Sequence, residues 1–294
     1  MEELSGAAVV TGAASGIGKA MAMRFAEEGM SVVLADVEQG ALVAAEADVA
    51  AAGGETMSVV TDVSDRASVD ALAMKTIERF GPPTVLCNNA GVSGLSGGSG
   101  AIWDTTENDW QWVLGVNLMG VVHGIQAFLP SMIEAGRSAH VVNTSSILGL
   151  ATGGGGHTYN VSKHAVTRLS EGLWYDLQER KLPIGVTVLC PGLIATNIIT
   201  ANRNRPEHLR NAGNPLDTDE AKMRIAAVDN FFKENGMRPE EVADIVVGAI
   251  REDRFYVLTH PELMARIEER FRSIFDGTHP PAPTTALNLL GSNQ

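Results

Sequence analysis

Cysteine is nearly missing: Cys87 and Cys190 are the only two in 294 residues. Two isolated thiols make no disulfide framework, and reduced cysteines in a cytoplasmic protein are the expectation. Basic charge is also short, with 22 Lys plus Arg against 35 Asp plus Glu and a net charge of −13. That balance repels a phosphate backbone, so no nucleic-acid partner is expected without a concentrated basic face. Apolar runs are broken by Gly, Ser or charge short of the roughly 20 residues a membrane helix needs, and no membrane partner is expected. Met1 to Ser5 hold Glu2 and Glu3 and no apolar stretch, so no secretory signal is visible. Pro/Ser-rich linkers and internal repeats are missing too, which reads as a single domain over 1–294. No histidine is spaced with a carboxylate as a zinc site would be, and no metal is expected, His157 and His164 included.

What is there is material for a core: 45% hydrophobic against 19% charged residues. Short β-branched runs stand at Ala7–Thr11, Ser31–Ala35, Thr56–Thr61, Thr84–Asn88, His140–Thr144, Ile184–Cys190 and Phe255–Thr259. Helical patterns lie between them at Gly16–Glu28, Gln39–Ala52, Asp65–Phe80, Glu107–Ala135, Thr158–Arg180 and Pro239–Arg251. The runs are apolar throughout rather than alternating, as in a parallel sheet covered on both faces. The expectation is an α/β fold, a doubly wound parallel sheet flanked by helices. Residues 196–238 interrupt the alternation; a stretch of about forty residues reads as a functional lid or helical cap. Arg203, Arg205 and Arg210 fall in it, nearly balanced by Glu207, Asp217, Asp219 and Glu220, so a solvated lid is expected rather than an anion grip. A C-terminal extension, 261–294, carries a helical stretch and a Pro-rich tail. Trp103, Trp110 and Trp112 are expected to pack at a helix interface, and Met21, Met23 and Phe25 in the core.

Two clusters carry chemistry. The first run enters Thr11-Gly12-Ala13-Ala14-Ser15-Gly16-Ile17-Gly18 and then a helix. Glycines at such a turn let backbone amides approach a pyrophosphate at the positive helix end; a purely structural turn is the alternative. The next run ends at Asp36, where a carboxylate accepts from ribose hydroxyls and repels a 2′-phosphate. With no Arg or Lys at Ser15 or Val37, NAD is expected over NADP; the plainer role for Asp36 is a helix cap. In the second cluster, Tyr159 and Lys163 lie four apart on one helical face. A neighbouring ammonium, with a cationic nicotinamide, stabilises the phenolate, and roughly 3–4 kcal/mol of differential stabilisation brings it towards neutrality. Ser146, just past the preceding strand, opens onto the crevice faced by the Gly-rich turn and is placed to bind a substrate oxygen.

With T-G-x-x-x-G-I-G at Thr11–Gly18, N-N-A-G at Asn88–Gly91, Asn117, Ser146, Tyr159-x-x-x-Lys163, and Pro191-Gly192 with Thr196, the chain resembles the short-chain dehydrogenase/reductase family over about residues 5–260. The resemblance implies a Rossmann-type seven-stranded sheet and an NAD-dependent alcohol dehydrogenase. It implies Tyr159 as general acid/base and Lys163 as the residue that lowers its pKa and binds the nicotinamide ribose. Ser146 would polarise the substrate oxygen and Asn117 would hold a relay water. It places Gly12, Ser15, Gly16, Ile17, Gly18, Asp36 and Val37 on the dinucleotide, Asp62 and Val63 on the adenine, and Asn89, Ala90 and Gly91 on the adenosine side. Pro191, Gly192, Ile194 and Thr196 would hold the carboxamide. Leu148, Leu150, His157, Leu193 and Ile198 would wall a substrate pocket suited to a bulky hydrophobic or aromatic secondary alcohol or its ketone. The stretch Pro130–Ser146 is similar to bacterial members that oxidise aryl and lignin-type alcohols. The run Gly153–Gly156 departs from the pattern and suggests a wide mouth. The family also implies a homo-oligomer, tetramer or dimer, through the long helices. Rival readings are a non-catalytic NAD-sensing or scaffold protein on the same fold, and an epimerase or dehydratase that oxidises only transiently.

Overall fold

The computed structural model describes residues 3–94, 101–153, 156–212 and 218–283. Asp217, Gly154, Gly155 and the tail beyond 283 lie outside them. Seven strands form one sheet: β1 Ala7–Thr11, β2 Ser31–Asp36, β3 Thr56–Val60, β4 Val85–Asn88, β5 Ala139–Thr144, β6 Ile184–Cys190 and β7 Tyr256–Leu258. Every pairing is parallel, in the order β3-β2-β1-β4-β5-β6-β7. Chain direction across the sheet therefore reverses between β1 and β4, and a crevice opens beyond their carboxyl ends.

Alternation within the strands divides the core in two. Ala8, Val10, Val32, Leu34 and Leu189 pack to one face, under α1 (Gly16–Glu27), α2 (Gln39–Ala52) and α8 (Pro239–Arg251). Val9, Val33, Leu86, Val141 and Val186 pack to the other, under α3 (Arg66–Phe80), α5 (Gly120–Ala135) and α6 (His157–Glu179). Met21 and Phe25 are fully buried in the first core, with Met23 packed against it. Each large side chain so buried contributes about 1.5–3 kcal/mol, which is why uninterrupted apolar runs survive in these strands.

The pattern Glu107–Ala135 is three pieces: α4 (Glu107–Leu114), a π turn (Gly115–Met119) and α5. By length and composition this stretch is apolar enough to cross a bilayer. Here it is a core helix, with Val121, Gly124, Phe128 and Met132 buried and α5 packed against α3 and β4. The tryptophans separate: Trp112 is buried, Trp110 half-buried and Trp103 84% exposed. Within 196–238 the described residues, 196–212 and 218–238, carry 3-10 turns at Ile198–Asn204 and Glu207–Leu209 and then α7 (Asp219–Asn235), and serve as a cap. Its ends are tied together by the Ile194–Met237 bridge, Ala195 N donating to Met237 O at 3.0 Å and Met237 N to Leu193 O at 2.9 Å. A 3-10 turn, Pro261–Leu263, leads into α9 (Met264–Asp276).

One buried histidine gives the fold an acid limit. His140, on β5, is 2% exposed with Nε2 2.8 Å from Thr187 Oγ1, and burial pushes its pKa down to about 3. Asp253, 3.8 Å away and mostly exposed, does not offset that. The unfolded chain takes up this proton near pH 6.5 while the folded chain refuses it, so stability falls as pH drops from about 6.5 towards 3. The full loss is on the order of 5 kcal/mol. Urea denaturation at pH 7 and pH 4.5 should show a smaller drop for His140→Gln than for wild type; equal drops would reject the assignment.

Candidate active site

The first wall of the crevice is the turn after β1. Gly12 and Gly16 have φ of +68° and +55°, a region that favours glycine. Thr11 braces the turn to the end of β4: its Oγ1 accepts from Asn89 N at 2.9 Å and Ala90 N at 3.1 Å, and its carbonyl accepts from Asn89 Nδ2 at 3.0 Å. Gly18 lies beneath this wall, where a Cβ would sit 2.1 Å from Gly12 O. It permits the close approach of helix and turn and is not on the crevice surface.

Asp36 closes one end. Its Oδ2 accepts from Ala14 N and its Oδ1 from Glu38 N, each at 3.0 Å, so the carboxylate is held in place at the rim. Beside it Glu38 accepts from Arg203 Nε at 3.2 Å, Arg203 Nη2 at 2.5 Å and Asn204 Nδ2 at 2.8 Å, tying the cap to the β2 end. The Arg203 bond holds the Glu38 carboxyl below its ordinary range, against burial and aided by Asn204.

At the other end Ser146, Tyr159 and Lys163 meet. The strand β5 delivers Ser146, whose Oγ accepts from Leu148 N at 3.1 Å, and the first turns of α6 deliver Tyr159 and Lys163. The Ser146 side chain lies close enough to the Tyr159 hydroxyl to favour its ionised form. Lys163 Nζ donates to Thr144 O at 2.8 Å and lies 5.6 Å from the Tyr159 ring centroid. The expectation that the ammonium lowers the tyrosine is not what dominates here. Burial pushes the Tyr159 hydroxyl up, the nearby Ser146 offsets part of the rise, and Cys190 adds to it. Burial also brings Lys163 down to about 8, with Cys190 acting the opposite way. Both cysteines are buried, and burial raises both thiols, Cys190 to about 12.

Asn117 sits in the π turn, fully buried, and faces the same region from behind the wall. Its Oδ1 accepts from Val92 N at 2.8 Å, and its Nδ2 donates to Val92 O and Ser162 Oγ, both at 3.0 Å. A Cβ on Gly91 would meet Lys163 Nζ at 3.3 Å and Asn117 Oδ1 at 3.5 Å, so both groups crowd that glycine.

A cavity of about 400 Å³ joins the two ends. Of the dinucleotide residues read from sequence, Gly12, Ser15, Gly16, Ile17, Asp36 and Val37 line it on the β1–β2 side. Asp62, Val63, Asn89, Ala90 and Gly91 follow, then Pro191, Gly192, Ile194 and Thr196 beside Ser146, Tyr159 and Lys163. Leu148 and Ile198 reach it as well. Three others do not. Leu193 and Leu150 are buried in the packing behind the wall, and His157, at the first position of α6, lies off the surface. Positions two apart on a helix do not share a face, so nearness to Tyr159 in sequence did not bring His157 into the cavity. His164 Nδ1 lies 2.7 Å from Gly149 O. The sequence reading missed Glu38, Trp112, Val116, Asn160, Ile199, Arg203 and Phe232, all on the cavity wall. Phe232 comes from α7, far in sequence from any motif, and Trp112 from α4, five residues before Asn117. Among the described residues no group of three or more His, Cys, Asp or Glu is gathered to hold a metal ion.

The short chain dehydrogenase family model matches residues 6–207. A solved short chain dehydrogenase/reductase from Burkholderia phymatum, in complex with NAD, is 40% identical with a TM-score of 0.90, covering 97% of this chain and 99% of that one. The CLA biosynthesis dehydrogenase/reductase of Lactiplantibacillus plantarum is 33% identical over 265 residues, 90% of this chain and 91% of its own. The C alpha-dehydrogenase of a Sphingobium species is 34% identical over 274 residues, 93% of this chain and 86% of its own. The fold and the site thus define a nucleotide-binding oxidoreductase, and the chain belongs to the short-chain dehydrogenase/reductase family. It is an enzyme of that family acting on CH–OH groups.

Proposed function

We propose that this enzyme transfers hydride between NAD and a bulky, hydrophobic or aromatic secondary alcohol or the matching ketone. The observation that carries the reading is the meeting of Ser146, Tyr159 and Lys163 at one end of a cavity whose other end is closed by a fixed Asp36 carboxylate. Glycine backbone at the β1 turn and a carboxylate at the end of β2 fit a dinucleotide without a 2′-phosphate. NAD, when bound, supplies the hydride acceptor; the chain supplies orientation and the proton path.

Ser146 holds the substrate oxygen beside the Tyr159 hydroxyl. Tyr159 takes the hydroxyl proton in oxidation and returns it in reduction. Lys163 stabilises the phenolate and passes the proton onward past Gly91 towards Asn117. Burial favours neutral tyrosine, so oxidation should speed up as pH rises above neutrality while ketone reduction slows. Initial rates in both directions from pH 6 to about 10 check this; parallel profiles would contradict it. The substrate end is walled by Trp112, Val116, Leu148, Ile198, Ile199 and Phe232, which favours ring-bearing or long apolar groups over small polar ones. The name of the Sphingobium relative, a C alpha-dehydrogenase, agrees with a dehydrogenase reading.

The test is NADH absorbance with purified protein, NAD⁺ or NADP⁺, and secondary alcohols from short aliphatic to aryl. NADH formation favouring NAD⁺ and aryl alcohols is expected. Good activity on a sugar or short hydroxy acid, with none on the bulky alcohols, would reverse the substrate assignment.

A further inference from the structure

Arg205 was expected in a solvated lid and is instead 5% exposed. It follows the 3-10 turn Ile198–Asn204 and fastens three parts of the molecule. Nη1 donates to Asp109 Oδ1 at 2.7 Å, Nε donates to Leu209 O at 2.7 Å, and the guanidinium carbon lies 5.1 Å from the Trp112 ring centroid. Its Nη2 is buried without a hydrogen-bond partner. Asp109 is 1% exposed and anchors the start of α4, where Oδ2 accepts from Thr106 N at 3.0 Å and Oδ1 accepts from Asn211 Nδ2 at 3.0 Å. Burial pushes the Asp109 carboxyl up, but the Arg205 and Thr106 bonds together hold it below its ordinary range, so the pair is ionic.

Such a pair is a poor device for stability alone. Two charges are taken out of water and one guanidinium nitrogen gains nothing in return, where an apolar pair of the same volume would serve as well. What the charges add is direction. Trp112, one helical turn beyond Asp109, presents its indole to the cavity, as do Ile198, Ile199, Ala201 and Pro206 from the segment that Arg205 holds down. One guanidinium therefore sets both the ring and the lid that together form the substrate wall.

We propose that Arg205, through Asp109 and Trp112, is a positioning residue that fixes the width of the substrate chamber and so sets the preference for bulky aryl alcohols over short aliphatic ones. The inference rests on the alcohol/ketone reading above. Arg205 touches no reacting atom; it decides which alcohols are held in line for the chemistry.

The experiment compares wild type with Arg205→Lys and with Arg205→Met combined with Asp109→Asn. The double variant removes both charges at similar volume, and Asn can still accept from Thr106, so the fold is kept where a single Met would strand a buried carboxylate. Each protein is assayed with 1-phenylethanol and 2-butanol, and NADH affinity is measured by fluorescence. In the double variant kcat/KM for 1-phenylethanol should fall about tenfold, through KM, while 2-butanol changes less than about threefold and NADH affinity holds. Arg205→Lys keeps the charge but not the fork and should fall between. Equal losses for both alcohols, or no loss in either, would overturn the proposal, since a merely structural role moves both together. Wild type inactive on both alcohols would instead remove the underlying alcohol reading.

Discussion

Replacing Tyr159 with Phe should lower kcat by about 10³-fold or more in either direction while leaving NADH affinity within about threefold of wild type. The substitution removes one oxygen and nothing else that holds the site. The ring stays in its half-buried place on α6, and Lys163 keeps its bond to Thr144 O at 2.8 Å and its position 5.6 Å from the ring centroid. What goes is the hydroxyl beside Ser146 on the cavity wall, and with it the proposed proton donor and acceptor. Fluorescence titration with NADH separates the two functions, because a misfolded variant would lose binding as well. Turnover retained at a tenth of wild type would assign the proton transfer to another group.

Asp36→Ala should be the largest change in cofactor choice. The carboxylate is aimed by two backbone amides, Ala14 N and Glu38 N, and cannot swing away from an approaching phosphate. Like charges held together cost several kcal/mol, so the ratio of kcat/KM for NAD over NADP should fall by about 10²–10³. Two contributions add: loss of the ribose acceptor weakens NAD, and loss of the charge admits NADP. Glu38 remains at the rim but is engaged by Arg203 and Asn204, so its charge is already largely answered. Steady-state kinetics with both cofactors measure the ratio. An unchanged ratio would mean that discrimination lies elsewhere on the wall.

Most of the fold was legible because its signal is local. β1, β6, α2 and α8 begin and end where the sequence places them, since strands buried on both faces must be apolar at every position. The Gly-rich turn and the pair Tyr159 and Lys163 were legible for the same reason, their geometry being set within one turn of chain. What was missed depends on distant partners or on a change of period. A π turn adds one residue to a helical repeat, so Glu107–Ala135 read as one helix while the structure breaks it at Gly115–Met119 and turns Asn117 inward. Arg205 looked solvated because its neighbours in sequence balance its charge; its partner Asp109 lies on another element altogether. Gly18 read as a phosphate contact but answers to Gly12 O, a packing constraint that spacing alone cannot distinguish. The tyrosine acidity was argued from the Lys163 ammonium together with a cationic nicotinamide, and burial, which no sequence displays, acts in the opposite direction.

The central claim is direct hydride transfer from a carbinol carbon to NAD, and isotopic labelling tests it most directly. The enzyme would be incubated with NAD⁺ and 1-phenylethanol carrying deuterium at the carbinol carbon, and the reduced cofactor analysed by mass spectrometry and proton NMR. The account predicts one deuterium per NADH formed, on a single face of the nicotinamide ring, with the ketone as co-product. Unlabelled NADH, or label scrambled between the two faces, would contradict it.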